Sequence, residues 1–180
     1  MRLTPESVAA ERAWVRDRAP VVVPLINETR GVLEELFATE VDRVAPDEYR
    51  AEVDAVFADG DRAVNVAAYV GLLRDLDVAG DYPGFIVDEV LGRELAGTVA
   101  GGQPLALLAE ATFHVADVHT HGETGGDASA GGHDPAGEAD PAGADDLDAA
   151  LAAGFQTRLP GWEWRESPSP FAVGPDDRDG

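Results

Sequence analysis

Between Pro5 and about His121 the apolar residues recur every three to four positions, the spacing of helices that turn one face to a core. A short first helix is expected over residues 6–18, with Val8, Trp14 and Val15 as its apolar side. The stretch APVVVPLINE carries Pro20 and Pro24, each of which removes a backbone donor. It predicts an extended link or kink at Val21, Val22 and Val23, and a second helix that opens at Pro24. In that helix Leu25, Ile26, Thr29, Val32, Leu33, Leu36 and Phe37 take one face, and Asn27, Glu28, Arg30, Glu34 and Glu35 the other.

Pro46, an acidic first turn and Gly60 frame a third helix with Tyr49, Val53, Val56 and Phe57 inside. Val66, Tyr69, Val70 and Leu73 line a fourth. A fifth falls between Pro83 and Gly101, and Pro104 opens a sixth that runs toward His121. Short links between such helices favour antiparallel neighbours. From 122 to 148 the chain becomes Gly, Ala, Asp, Glu and Pro with little to bury, the composition of a disordered acidic linker. A short helix and an aromatic segment are expected over 149–172, and a disordered tail over 173–180. The expected architecture is thus all-α: a five- or six-helix antiparallel array over 1–121, the linker, and a short aromatic C-terminal segment.

Charge changes the picture of the solvent. The net charge is −22, and the basic residues are 13 arginines with no lysine. On so small a chain that charge repels itself at low salt, whereas at about 1 M salt the Debye length is only ~3 Å. The Asp-rich, lysine-free composition resembles that of proteins from salt-in halophiles, the haloarchaea above all. In such a solvent acidity marks the medium rather than the partner, so nucleic acid is not excluded by charge. With no cysteine there is no disulfide, thiolate zinc site or cysteine nucleophile. The N-terminus lacks the apolar stretch of a signal peptide and no run of 18 apolar residues occurs, so a soluble, cytoplasmic protein without a membrane partner is expected.

The histidines lie late in the chain, at 114, 119, 121 and 133. On the sixth helix Glu110, His114, Asp117 and His121 follow one another at four, three and four residues, one stripe of a helix face. Carboxylate and imidazole one turn apart can chelate a divalent metal such as Zn, Ni or Fe. Further ligands would have to be carboxylates, with Asp88, Glu89 and Glu94 the natural choices. The plainer reading is the solvated face of an otherwise apolar helix. No Glu-x-x-His pair, G-x-S-x-G elbow or phosphate loop is present, and no catalytic residue or cofactor is expected.

The segment LPGWEWRESPSPF sets Trp162, Trp164, Arg165 and Phe171 among prolines. These residue types dominate interface hot spots and could dock a protein partner. The competing expectation is that the tail folds back and covers the bundle with its tryptophans. A helix-turn-helix over the fourth and fifth helices would present Asp88, Glu89, Arg93 and Glu94, a net acidic face poorly suited to phosphate. The expected function is therefore a helical binding or regulatory protein adapted to high salt that acts through protein–protein contacts. A metal-binding protein or metal-dependent enzyme is the alternative, and a transcriptional regulator the third reading.

Overall fold

The computed structural model describes residues 1–76, 87–121 and 142–162. Among them are seven α-helices: α1 Pro5–Asp17, α2 Ala19–Phe37, α3 Pro46–Ala58, α4 Gly60–Arg74, α5 Val87–Ala100, α6 Leu105–His121 and α7 Ala142–Arg158. The fold is all-α, as the periodicity implies. None of these helices is long and apolar enough to cross a membrane.

The first difference from expectation lies at the prolines. Only Arg18 separates α1 from α2, and α2 begins at Ala19 rather than Pro24. Pro20 occupies the first turn, where a missing N–H forfeits nothing. Pro24 sits inside the helix and forfeits a bond to the carbonyl of Pro20. Burial of Ala19, Val22, Val23 and Ile26 along one face offsets that loss and keeps Val21, Val22 and Val23 helical. The buried face of α2 continues through Thr29, Arg30 and Leu33, while Leu36 and Phe37 are exposed. Arg30 thus lies inside, not on the polar face expected for it.

The second difference is α7. Residues 142–148, expected as the end of a linker, form its first two turns, and Asp146, Leu147 and Asp148 are buried. The rest of the expected linker, 122–141, lies outside the described residues, as does the tail from 163 onward. From Asp146 to Thr157 every residue of α7 is buried. The helix packs on α5, α6, α2, α4 and α3 and shares one hydrophobic core with them. The helix is therefore the axis of the domain rather than an appendage beyond it.

Small residues let the helices around α7 approach closely. A Cβ on Gly154 would stand 2.8 Å from the Val99 Cβ and 2.9 Å from the Ala96 carbonyl oxygen of α5. A Cβ on Gly92 of α5 would strike the Phe113 ring of α6 at 2.6 Å. The helices of the first half instead meet through larger side chains. Tyr49 of α3 is buried, stands edge-on to Phe155 with centroids 5.1 Å apart, and donates its hydroxyl to the Val15 carbonyl at 3.0 Å. Burial pushes that hydroxyl far above the ordinary tyrosine range.

Candidate functional site

The start of α1 is fixed by a reciprocal cap. The Ser7 N–H donates to the Thr4 hydroxyl at 3.2 Å, and the Thr4 N–H donates to the Ser7 hydroxyl at 2.8 Å. Pro5 fills the first helical position. Leu3 and Val8 then occupy the two positions that flank a cap as a hydrophobic staple. Across from them α3 ends and α4 begins at Asp59, whose carboxylate accepts from the Arg62 N–H at 3.4 Å. Between these termini lies a cleft of about 450 Å³, lined chiefly by apolar atoms of Leu3, Val8, Phe57, Ala63 and Val64.

Its cationic lining residue is Arg12, whose Nε donates to Asp54 at 2.9 Å. Arg16 also binds Asp54, and this hydrogen bond, with Arg12 adding to it, holds the Asp54 carboxyl below the usual carboxylate range. The arginine at the cleft is therefore charge-compensated. Nearby, Arg74 donates to Glu11 at 2.6 Å, yet burial of Glu11 outweighs that contact and raises its carboxyl above the usual range. The cleft offers apolar area with neutralised edges, suited to taking up apolar groups rather than to proton transfer. The signal for it was present in the chain: Leu3 and Val8 around the Thr4–Pro5 start, and Val64 apolar but off the inner stripe of α4.

Among the described residues, the stripe on α6 does not form a comparable site. Glu110 is half-buried and lies across α5, where a Cβ on Gly97 would meet its Oε1 at 2.6 Å. His114 is exposed and Asp117 half-buried. His121 ends the helix, with its side chain outside the described residues, as are those of His119 and His133. Among the described residues no three histidine or acidic side chains stand close enough together to hold a metal ion. Of the proposed supporting carboxylates, Glu94 is exposed and Glu89 half-buried on α5, and the Asp88 side chain is not described.

Trp162 behaves as a core residue. It is 2% exposed, packs with Leu33 and Val41, and donates its indole N–H to the Gln156 carbonyl at 2.8 Å. The buried Arg30 of α2 lies over its ring, with the guanidinium carbon 5.5 Å from the centroid. Arg30 donates to the carbonyls of Gln156 at 3.0 Å, Leu159 at 3.1 Å and Pro160 at 2.8 Å, and also to that of Asp42. A cation at the C-terminal end of α7 meets the oxygens that the last turn leaves unpaired. Trp162 is consequently closed to a partner, whereas Trp164, Arg165 and Phe171 lie outside the described residues.

A family model for a domain of unknown function, DUF7984, matches residues 1–175. The chain belongs to that family. The DUF7984 match therefore spans the cleft, the α6 stripe, α7 and the Arg30–Trp162 anchor together, and treats them as parts of one domain. No curated protein and no solved structure matches the chain.

Proposed function

We propose that this DUF7984 domain is a binding protein adapted to high salt, and that it receives an apolar segment of a protein partner in the cleft between α1, α3 and α4. The cleft itself carries this reading: about 450 Å³ lined mainly by apolar atoms, with Leu3 and Val64 each more than two-fifths exposed at its edge. Chemistry of the solvent favours an apolar ligand. Where the Debye length is about 3 Å, charge steering between surfaces fades, while burial of apolar area keeps its strength. A partner read by its apolar side chains suits both the cleft and a chain whose own charge of −22 must be screened.

The test is a comparison of two surface variants in molar KCl. Val64→Glu puts a charge on the cleft wall, and Leu107→Glu puts one on an exposed position of α6 away from it. Val64 is 42% and Leu107 53% exposed, enough for a glutamate to reach water at either position, so both variants keep the wild-type circular dichroism. A protein captured by the wild type should be lost by at least about tenfold in affinity with Val64→Glu, the effect of about 1.4 kcal/mol, and retained with Leu107→Glu. Equal binding by all three chains overturns the reading.

A further inference from the structure

Helices α5 and α6 share an outer face that differs from the rest of the described surface. Each of α1 to α5 puts an acidic side chain in water, from Glu6 on α1 to Glu94 on α5. On α6 the one acid between Leu105 and Ala116 is Glu110, which is half-buried against Gly97 of α5. The exposed side chains of that stretch are Leu107, Ala111 and His114, one turn apart along a single face. Leu107 is 53% exposed. On α5, Val90 and Arg93 stand two turns and one turn before Gly97, so they share the side of the helix that Glu110 crosses. Val90 is 39% exposed.

Arg93 is exposed as well, and its state is unusual. Of the described arginines only Arg2 and Arg93 bind no carboxylate or carbonyl, although the chain has 35 acids to 13 arginines. The next residue, Glu94, is exposed, and its carboxylate too has no partner among the described residues. An unpaired cation beside an unpaired anion on one helix is self-complementary, because a two-fold axis brings each against the other's copy.

We propose that the α5–α6 face binds a second copy of this chain and forms a two-fold dimer. An axis lying in this face and crossing both helices sets α5 on α5 and α6 on α6, antiparallel. Arg93 of each copy then meets Glu94 of the other, and Leu107 of each packs toward His114 of the other across Ala111. Charge favours this occupant. Two chains of −22 approach most closely where carboxylates are sparse, and apolar burial there keeps its strength in molar salt. A contact ion pair also survives a Debye length of about 3 Å, being no wider than that.

Sedimentation equilibrium of the full chain in molar KCl tests this. The wild type should sediment at twice the chain mass of 18.9 kDa. Leu107→Glu should raise the dimer dissociation constant at least about tenfold. Arg93→Glu and Glu94→Arg each set like charges across the axis at both symmetric pairs, for about fivefold apiece. The double variant Arg93→Glu/Glu94→Arg should restore the wild-type value, because each copy then carries the pair reversed. All three positions are exposed, so every variant keeps the wild-type circular dichroism. The cleft lies on other helices, so partner capture there and dimer formation here fail independently. A wild type that stays at 18.9 kDa at its highest soluble concentration overturns the proposal. So does a dimer that Leu107→Glu leaves intact, or single reversals that the double reversal does not repair.

Discussion

Helices α1 to α4 and helices α5 to α7 hold together by different means. In the first group, arginine–carboxylate pairs bridge the helices at the surface: Arg12 and Arg16 to Asp54, and Arg74 to Glu11. Large side chains such as Tyr49 fill the space between. In the second group, glycine and alanine bring backbones into near contact, and α7 is enclosed on every side. The first arrangement tolerates adjustment because long side chains can re-seat. The second does not, because a close-packed contact has no slack. Among the contacts between the two groups, Arg30 of α2 binds the end of α7 from inside the core, so that junction should be the most sensitive point.

Arg30→Leu tests the junction. Burying an apolar side chain in place of a charge is often tolerated when both partners of a pair are replaced. Here the partners are four backbone carbonyls that no substitution removes. The indole of Trp162 still serves Gln156, whereas the carbonyls of Asp42, Leu159 and Pro160 lose the guanidinium. A hydrogen bond to a charged group is worth about 1.5–3 kcal/mol, so denaturant unfolding in molar KCl should show a loss of at least about 3 kcal/mol with an altered Trp162 emission. Arg30→Lys should rescue little, because a compact ammonium cannot span the positions that the guanidinium fork reaches. A loss below about 1 kcal/mol would mean that the end of α7 is sealed by packing alone.

One pair of identical substitutions sharpens the contrast between the groups. Gly154→Ala places a Cβ within 3 Å of both the Val99 Cβ and the Ala96 carbonyl, and neither is the far end of a flexible side chain. It should destabilise by about 1–3 kcal/mol, the range for overpacking, even though alanine is the better helix former. Gly31→Ala in α2 meets only the guanidinium of Arg43, at 3.5 Å. There the intrinsic preference should win, with a gain of about 0.5–1 kcal/mol. Two thermal melts decide it, and a shared sign would dissolve the distinction between the two packing modes.

How legible each region was in the sequence follows from the same contrast. A helix with one face in water prints its face on the sequence: of the stripes read in α3 and α4, Tyr49, Val53, Val56, Val66, Val70 and Leu73 are buried, and Phe57 and Tyr69 are half-buried at their edges. A helix enclosed all round has no wet face to alternate with. In α7 alanine and glycine carry the burial, so an acidic start and small residues looked like the end of a linker and two loose turns. The misplacement of Arg30 has a similar origin: charge was taken for exposure, although Val22, Val23, Ile26 and Leu33 frame its position on the inner side. The stripe on α6 was legible as a stripe. Whether side chains from other helices meet it is a tertiary fact that spacing does not carry. The cleft escaped notice because it joins the start of α1 to the α3–α4 junction at Asp59, more than fifty residues away in the sequence, and that meeting is a tertiary fact.

The smallest effect belongs to the ion pairs of the first group, and its pH dependence identifies it. Asp54 titrates below its ordinary value in the folded chain, chiefly because Arg16 hydrogen-bonds the carboxylate. The folded state therefore prefers the deprotonated form more than the unfolded state does. Its contribution is fully present above the unfolded value, about 3.9, and fades as the pH falls through the lower folded one. Glu11 runs the other way: burial raises its value, so its charged form costs stability once the pH climbs through the ordinary glutamate range. Wild-type acid unfolding mixes the two, but the difference between wild type and Asp54→Asn isolates the aspartate. That difference should be constant from neutral pH down to about pH 4 and close toward zero below it. Asp54 and both arginines are partly in solvent, so the difference should also shrink from low to molar KCl. A gap that persists in strong acid, or that salt leaves untouched, would show that Asp54 matters for the packing of α3 against α1 rather than for its charge.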